Sequence, residues 1–248
     1  MTYDKKYEMT ANTKIINGRK LFQIKAVVDF SNVKAGDLGG YIEKEENLSQ
    51  YDNAWVYDNA YVFGDALVCR DAQIFSNALV YDNACVSGDA RVSGDACIYG
   101  NACVYGYARV FGDACIYGNA CVYDNACVYG YARVYGYARV FDNARVFDDA
   151  CIYGNAWVFD NARVCRDAQI FSNADYIYFK GFGSENRYTS MFRTKNRDVY
   201  VRCGCFTGSL KAFTDKVKET HGSGKYAKEY LACAEVAKIH FEIGEEKE

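Results

Sequence analysis

From Tyr51 to Ala174 the chain contains no histidine, no lysine, no glutamate and no threonine. Without His, Lys or Glu, half of the molecule lacks the side chains that most often act as general bases. Without Thr, it cannot present the flat threonine arrays that ice-binding prisms use. Only two histidines, His221 and His240, occur in all 248 residues, both towards the C-terminus. There is no run of about 18 apolar residues that could span a bilayer, and Met1-Thr-Tyr-Asp-Lys-Lys has no apolar signal-peptide core. The expectation is a soluble cytoplasmic protein with no membrane partner. Half the residues are apolar, so material for a sizeable buried core is present.

Twelve cysteines would suggest a disulfide framework in a small secreted protein. Here nine of them (Cys69, Cys85, Cys97, Cys103, Cys115, Cys121, Cys127, Cys151 and Cys165) occupy repeat positions also filled by Arg, Leu, Trp, Tyr, Phe or Ser. They are interchangeable side chains in a reducing compartment. The net charge of −3 hides an asymmetry: residues 51–174 hold 14 Asp against 8 Arg, whereas 176–218 hold nine Lys and Arg against three acids.

What is present in abundance is a period. Alanine recurs every six residues from Ala54 to Ala174, 21 times in succession, and Val or Ile follows two residues after each of the first twenty. The unit is Ala-x-Val-aromatic-(Gly/Asp)-(Asn/Asp). Side chains alternate across a strand, so Ala and Val share one side and x and the aromatic share the other. Gly or Asp followed by Asn or Asp tolerates left-handed backbone, so each hexad is a short strand closed by a corner. Such a strand buries its inner side only by stacking in parallel coils. With three sides per coil, the 21 hexads give about seven coils.

Tandem (Leu/Ile/Val)-x-x-x-(small)-x units resemble the left-handed parallel β-helix of the hexapeptide-repeat superfamily. The resemblance implies a mainly β, left-handed solenoid and a homotrimer. The segments Val27–Phe30, Val33–Ile42 and Leu48–Gln50 resemble the start of uncharacterised bacterial hexapeptide proteins labelled putative transferase. Three regions follow: 1–50, a β-rich N-terminal cap with a first irregular coil; 51–175, the solenoid; 176–248, a small α+β module.

Sorting outward residues by side gives three ladders. The first carries Trp55, Gln73, Arg91, Arg109, Cys127, Arg145 and Arg163; the second Phe63, Tyr81, Tyr99, Tyr117, Tyr135, Tyr153 and Phe171 with Cys97, Cys115 and Cys151. The third carries Cys85, Cys103 and Cys121 beside Tyr105, Tyr123, Phe141 and Phe159. Two aromatic faces of this size predict subunit contact, with Tyr81, Tyr99, Tyr117, Tyr135, Tyr153, Tyr105, Tyr123 and Phe141 as interface residues. The Cys columns lack a neighbouring His, and no metal or cofactor is expected; the Arg column is surrounded by Asp, so nucleic acid is not the expected partner.

Beyond Asp175 the period stops. Residues 176–179, 188–193 and 199–203 are predicted strands, Ser209 caps a helix carrying Leu210, Phe213 and Val217, and His221-Gly222-Ser223-Gly224 separates it from a second helix with Tyr226, Tyr230, Cys233 and Ala237 on its buried face. Cys203-Gly204-Cys205 is tighter than usual zinc spacing, so Cys203, Cys205, Cys233 and His221 are predicted to be core cysteines and a helix-terminal histidine. Gly181-Phe182-Gly183-Ser184, Cys203–Gly208 and Thr220-His221-Gly222 resemble an uncharacterised module on hexapeptide proteins of gut bacteria and their phages. Arg187, Tyr188, Arg193, Lys195, Arg197 and Arg202 form the candidate ligand-binding set, suited to a phosphate-bearing small molecule or an acidic protein. These readings converge on a non-enzymatic oligomeric scaffold that recognises its ligand through the C-terminal module, as a phage-type anti-defence protein sequestering a nucleotide signal or host protein would. An acyl-CoA-dependent acyltransferase is the rival, with His221 its one available base.

Overall fold

The structure, a computed structural model, describes residues 5–243, the side chains of Phe182 and Arg187 excepted. Strands β1 (Tyr7–Ile16) and β2 (Arg19–Ala26) form an antiparallel hairpin, and β3 (Leu38–Ile42) joins it to the solenoid by pairing Tyr41 and Ile42 with Tyr61 and Val62. The hairpin turns at Asn17-Gly18, both at positive φ (49 and 76), the backbone that a two-residue hairpin turn requires.

From β4 (Trp55–Val56) to β23 (Gln169–Ile170) each hexad contributes one strand, and all pair in parallel with the strand 18 residues away. The result is a three-sided solenoid of about seven turns. Every Ala from Ala54 to Ala168 and every Val or Ile from Val56 to Ile170 is buried inside it. Each such Val or Ile contributes about 1.5–3 kcal/mol, so the interior is the dominant source of stability. The twenty corners from Asp52 to Arg166 all have φ between 51 and 75. The residues that follow the corners make rung-on-rung contacts such as Asn83 to Asn101 and Asn101 to Asn119, both at 3.2 Å.

Both ends are plugged. At the first coil Tyr7, Ile24 and Val33 close the apolar interior, and the Lys6 ammonium donates to the carbonyls of Tyr51, Asp52 and Ala54. Burial pushes that ammonium down to about 8, opposed by Asp52 and Asp71. At the other end β24 (Tyr176–Phe182), β25 (Arg187–Arg193), β26 (Val199–Cys203) and β27 (Phe206–Ser209) form an antiparallel sheet. Phe192, Tyr200 and Tyr176 on one side of it complete the solenoid core. Met191, Val199 and Val201 on the other meet α1 (Leu210–His221) and α2 (Lys225–His240).

Several expectations are corrected. Ala174 is exposed, because Ser172 has φ −142 and caps a 3-10 turn at Asn173–Asp175; the solenoid ends one hexad early. The first face is aromatic too: Tyr57 stacks on Phe75, and Phe111, Tyr129 and Phe147 form a second stack with centroids 4.8 and 5.0 Å apart. The buried face of α2 is Ala227, Tyr230, Ala234 and Ala237, whereas Tyr226 is exposed and Cys233 half-buried. Cys205 is exposed, not a core residue. The strand β27 was not anticipated.

The corner at Gly118 separates two sources of strain. A Cβ added there would stand 3.1 Å from the backbone nitrogen of Gly136, with φ at 71. Asp occupies the equivalent conformation at Asp124 and Asp142. Gly118→Val is expected to cost about 2 kcal/mol or more in urea denaturation and Gly118→Asp distinctly less. Equal costs would show that steric contact, not backbone handedness, governs the corners.

Candidate functional site

Strand alternation decides which basic residues meet. Ser190 pairs with Arg202 and Phe192 with Tyr200, so Tyr188, Ser190, Phe192, Tyr200 and Arg202 share the solenoid side of the sheet. Phe192 and Tyr200 plug the last coil, which carries Arg202 over its rim. There the Arg202 guanidinium lies over the Phe147 ring at 5.2 Å, and its Nη1 approaches the Cys165 sulfur at 3.9 Å. Ser190 Oγ accepts a hydrogen bond from the backbone N–H of Arg163 at 3.1 Å, fixing the sheet against the first face of the solenoid.

The result is a cavity of about 500 Å³ between solenoid and module. Its charged rim consists of Arg145 and Arg163, in-register neighbours on adjacent coils, with Arg202 from the sheet and Glu185 from the β24–β25 turn. Among the described residues, none of the three arginines is in an ion pair, and Arg202 Nε is buried without a hydrogen-bond partner. Burial, then the guanidinium groups of Arg145 and Arg202, holds Arg163 below its ordinary value. Three like charges are thus crowded at one rim.

The corner residues beside Arg145 and Arg163 are Asp142 and Asp160, and the asparagines that follow them, Asn143 and Asn161, line the cavity. The column of Asn143 and Asn161 carries Asp71 and Asp89 several coils away. Tyr188, 40% exposed, stands at the rim and offers a ring face to a planar group.

The six predicted ligand residues do not form one site. Tyr188 and Arg202 line this cavity, while Arg193, Lys195 and Arg197 line another of about 660 Å³ with Tyr153, Phe171, Ser172 and Asp175. Arg193 pairs with Val199 on the helix side of the sheet, donates to the carbonyls of Arg197 (2.6 Å) and Phe241, and lies over the Phe241 ring. Its fork is occupied within the fold. Lys195 and Arg197 are exposed at the β25–β26 turn, and the side chain of Arg187 lies outside the described residues. Sequence reasoning missed Arg145, Arg163, Asn143 and Asn161. Their proximity to residue 176 in the chain was the available signal.

The predicted interface aromatics all face outward. Tyr81, Tyr99, Tyr117 and Tyr135 stack with centroids 4.7–5.0 Å apart, and Tyr105, Tyr123 and Phe141 at 4.9 and 5.0 Å, leaving ring edges accessible. Burial pushes the Tyr81 phenol up to about 12. His221 ends α1, stacks on Tyr230 at 5.6 Å and shares a third cavity, of about 380 Å³, with Cys203 and Cys205. Among the described residues no group of three or more His, Cys, Asp or Glu side chains is placed to hold a metal. Compared with known proteins, the chain matches no protein-family model and no curated protein.

An uncompensated, partly desolvated charge costs stability until a counter-charge arrives. Arg202→Met, which keeps the packing on Phe147, is therefore expected to leave the thermal midpoint in low-salt, phosphate-free buffer unchanged or higher. A fall of several degrees would mean that Arg202 is held by stabilising partners within the fold.

Proposed function

We propose that this protein is a non-catalytic binding scaffold that captures a phosphate-bearing small molecule, with Arg145, Arg163 and Arg202 as the anion receptors. The observation that carries the reading is the crowding of three guanidinium groups, none of them in an ion pair among the described residues, around one cavity that Asn143 and Asn161 also line. Each guanidinium offers a planar fork that donates to two phosphate oxygens, and an arriving phosphate relieves the mutual repulsion. Tyr188 supports a ligand with a planar ring, and a nucleotide has both features. The composition of the repeats, without His, Lys or Glu, favours holding such a molecule over transforming it. Sequestration of a nucleotide signal, as in a phage anti-defence protein, is the biological setting this reading suits.

Calorimetry against inorganic phosphate, pyrophosphate and a nucleotide panel tests it. A nucleotide should bind more tightly than phosphate, with affinity falling as salt rises. Arg163→Ala and Arg202→Ala should each weaken binding by ~1.5–3 kcal/mol per lost charged hydrogen bond, and Lys195→Ala by far less. No binding by any anion, or equal losses from all three variants, would remove the site from this cavity.

The scaffold part of the proposal is a trimer of left-handed β-helices in the manner of the hexapeptide-repeat superfamily, with the aromatic ladders contributing to the subunit contacts. The partly exposed ring edges on three faces support it. Light scattering should return three times the chain mass of 27.9 kDa. A monomer that persists at micromolar concentration would overturn it.

A further inference from the structure

In eighteen of the twenty-one hexads the residue before the repeat alanine is Asn or Asp; in the other three it is Tyr107, Tyr131 and Tyr137. These three stand within two coils but on three different corners. Tyr107 leads into the first face, Tyr131 into the second and Tyr137 into the third. Each is followed two residues later by an exposed, outward arginine: Arg109, Arg133 or Arg139. The tyrosines are 63%, 63% and 65% exposed. Among the described residues, none of them enters a side-chain hydrogen bond or a ring contact.

Nothing inside the chain accounts for these rings. At the same position Asn83 bonds to Asn101 and Asn101 to Asn119 on successive coils, and the next rung of that column is Tyr137. Tyrosine forgoes such a rung contact and exposes apolar surface. Single exposed aromatics are ordinary, but one on every corner at one level, each beside a guanidinium, is a pattern. Tyr, Trp and Arg are also the side chains that dominate protein contacts. The third corner has all of them, since Arg139 lies 5.3 Å over the ring of Trp157, itself 43% exposed.

Pitch and charge select the occupant. The patches face three directions around the prism, so one compact partner cannot cover them all. Another copy of the prism has the same rung spacing of about 4.8 Å, so after a shift by whole coils its corners meet these in step. Its corners also carry the complementary groups. Asp71 and Asp89 occupy the two coils before Tyr107 in its column, Asp113 and Asp149 stand on either side of Tyr131, and Asn119 and Asn155 on either side of Tyr137. Slid by one coil, a Tyr/Arg corner of one copy meets a carboxylate or an amide of the next.

We propose that Tyr107/Arg109, Tyr131/Arg133 and Tyr137/Arg139, the last with Trp157, form a girdle through which copies of this chain associate side by side, corner to corner. A Tyr/Arg patch on one copy faces an Asp/Asn stretch on its neighbour, so the contact is heterologous and adds copies as concentration rises. It requires neither the anion cavity nor the face contacts of the proposed trimer.

Sedimentation velocity over a concentration series of the full chain tests it. In low salt the wild-type mean mass should at least double over that of its smallest species, and added salt should reverse the rise. Tyr107→Asn/Tyr131→Asn/Tyr137→Asn, which installs a residue common at this position, should remain at the smallest species with an unchanged circular dichroism spectrum. Arg109→Gln/Arg133→Gln/Arg139→Gln should associate more weakly and lose the salt dependence, whereas Tyr226→Asn, at an exposed ring of α2, should behave as wild type. Tyr137→p-benzoylphenylalanine, irradiated in a mixture of isotope-labelled and unlabelled chains, should give adducts that join two copies at a corner column. Equal association of the wild type and both triple variants would overturn the proposal, as would a wild-type mass that never rises or adducts confined to one chain. A tyrosine variant whose smallest species is itself smaller than that of the wild type would place the girdle inside that unit, and would overturn it as well.

Discussion

The backbone ladder between hexads 18 residues apart sets everything else in this molecule. Each strand is only two residues long in most hexads, and its N–H and C=O groups are satisfied almost entirely by the coils above and below. That pairing holds only if every coil has the same circumference. Alanine and valine supply a constant inner volume, and a left-handed corner residue supplies a constant turn. One larger inner residue or one missing corner would shift every later rung. The uniformity of the repeats is therefore a mechanical requirement of the ladder, and it leaves the outer positions free to vary.

That freedom is where the chemistry lies. An outer residue repeats its neighbour's position at a fixed spacing of about 4.8 Å, so identical side chains line up as columns. For aromatic rings the columns are favourable stacks. For arginine they are repulsive. The Arg145–Arg163 step would be an ordinary solvated pair were it not for the sheet that closes the last coil. By docking Phe192 and Tyr200 into the core, that sheet brings Arg202 over the same rim. The cost of plugging the solenoid and the making of an anion receptor are one packing event.

Most of the solenoid was legible in advance because its period is dictated by short-range geometry. Inner Ala and Val, outer aromatics and the Gly/Asp corners could each be assigned from the hexad alone. The C-terminal sheet and helices followed from alternation and from capping by Ser209, whose side chain accepts from Ala212 N. The Asn17-Gly18 turn also stood in the chain as a hairpin signal, although the cap was anticipated only as β-rich. The candidate site was half legible. Arg202 and Tyr188 stood out as basic and aromatic neighbours, but strand parity across β25 and β26 sends Arg193 to the opposite side. Arg145 and Arg163 differed from Arg91 and Arg109 in the chain only by standing nearer the end of the repeats, and the docking of the module singled them out.

The limits of local information are drawn most sharply by the ten residues that occur twice. Cys69 to Ala78 and Cys165 to Ala174 are identical in sequence. In the first copy Ser76 takes φ 59, the chain turns the corner and Ala78 is wholly buried. In the second, Ser172 takes φ −142, caps a 3-10 turn, and Ala174 lies exposed. Up to Ile74 and Ile170 the two copies behave alike, because strand and corner depend on the hexad and on the coil below. Beyond that they part, because the first copy has another coil to pair with and the second meets the sheet, where Asp175 accepts from the backbone of Phe171 and Ser172. The sequence by itself determined the period, the inner and outer sides and the corners, each a matter of neighbours within a few residues. Where the solenoid stops, and which arginines face one another when it does, is decided only by what packs against its end.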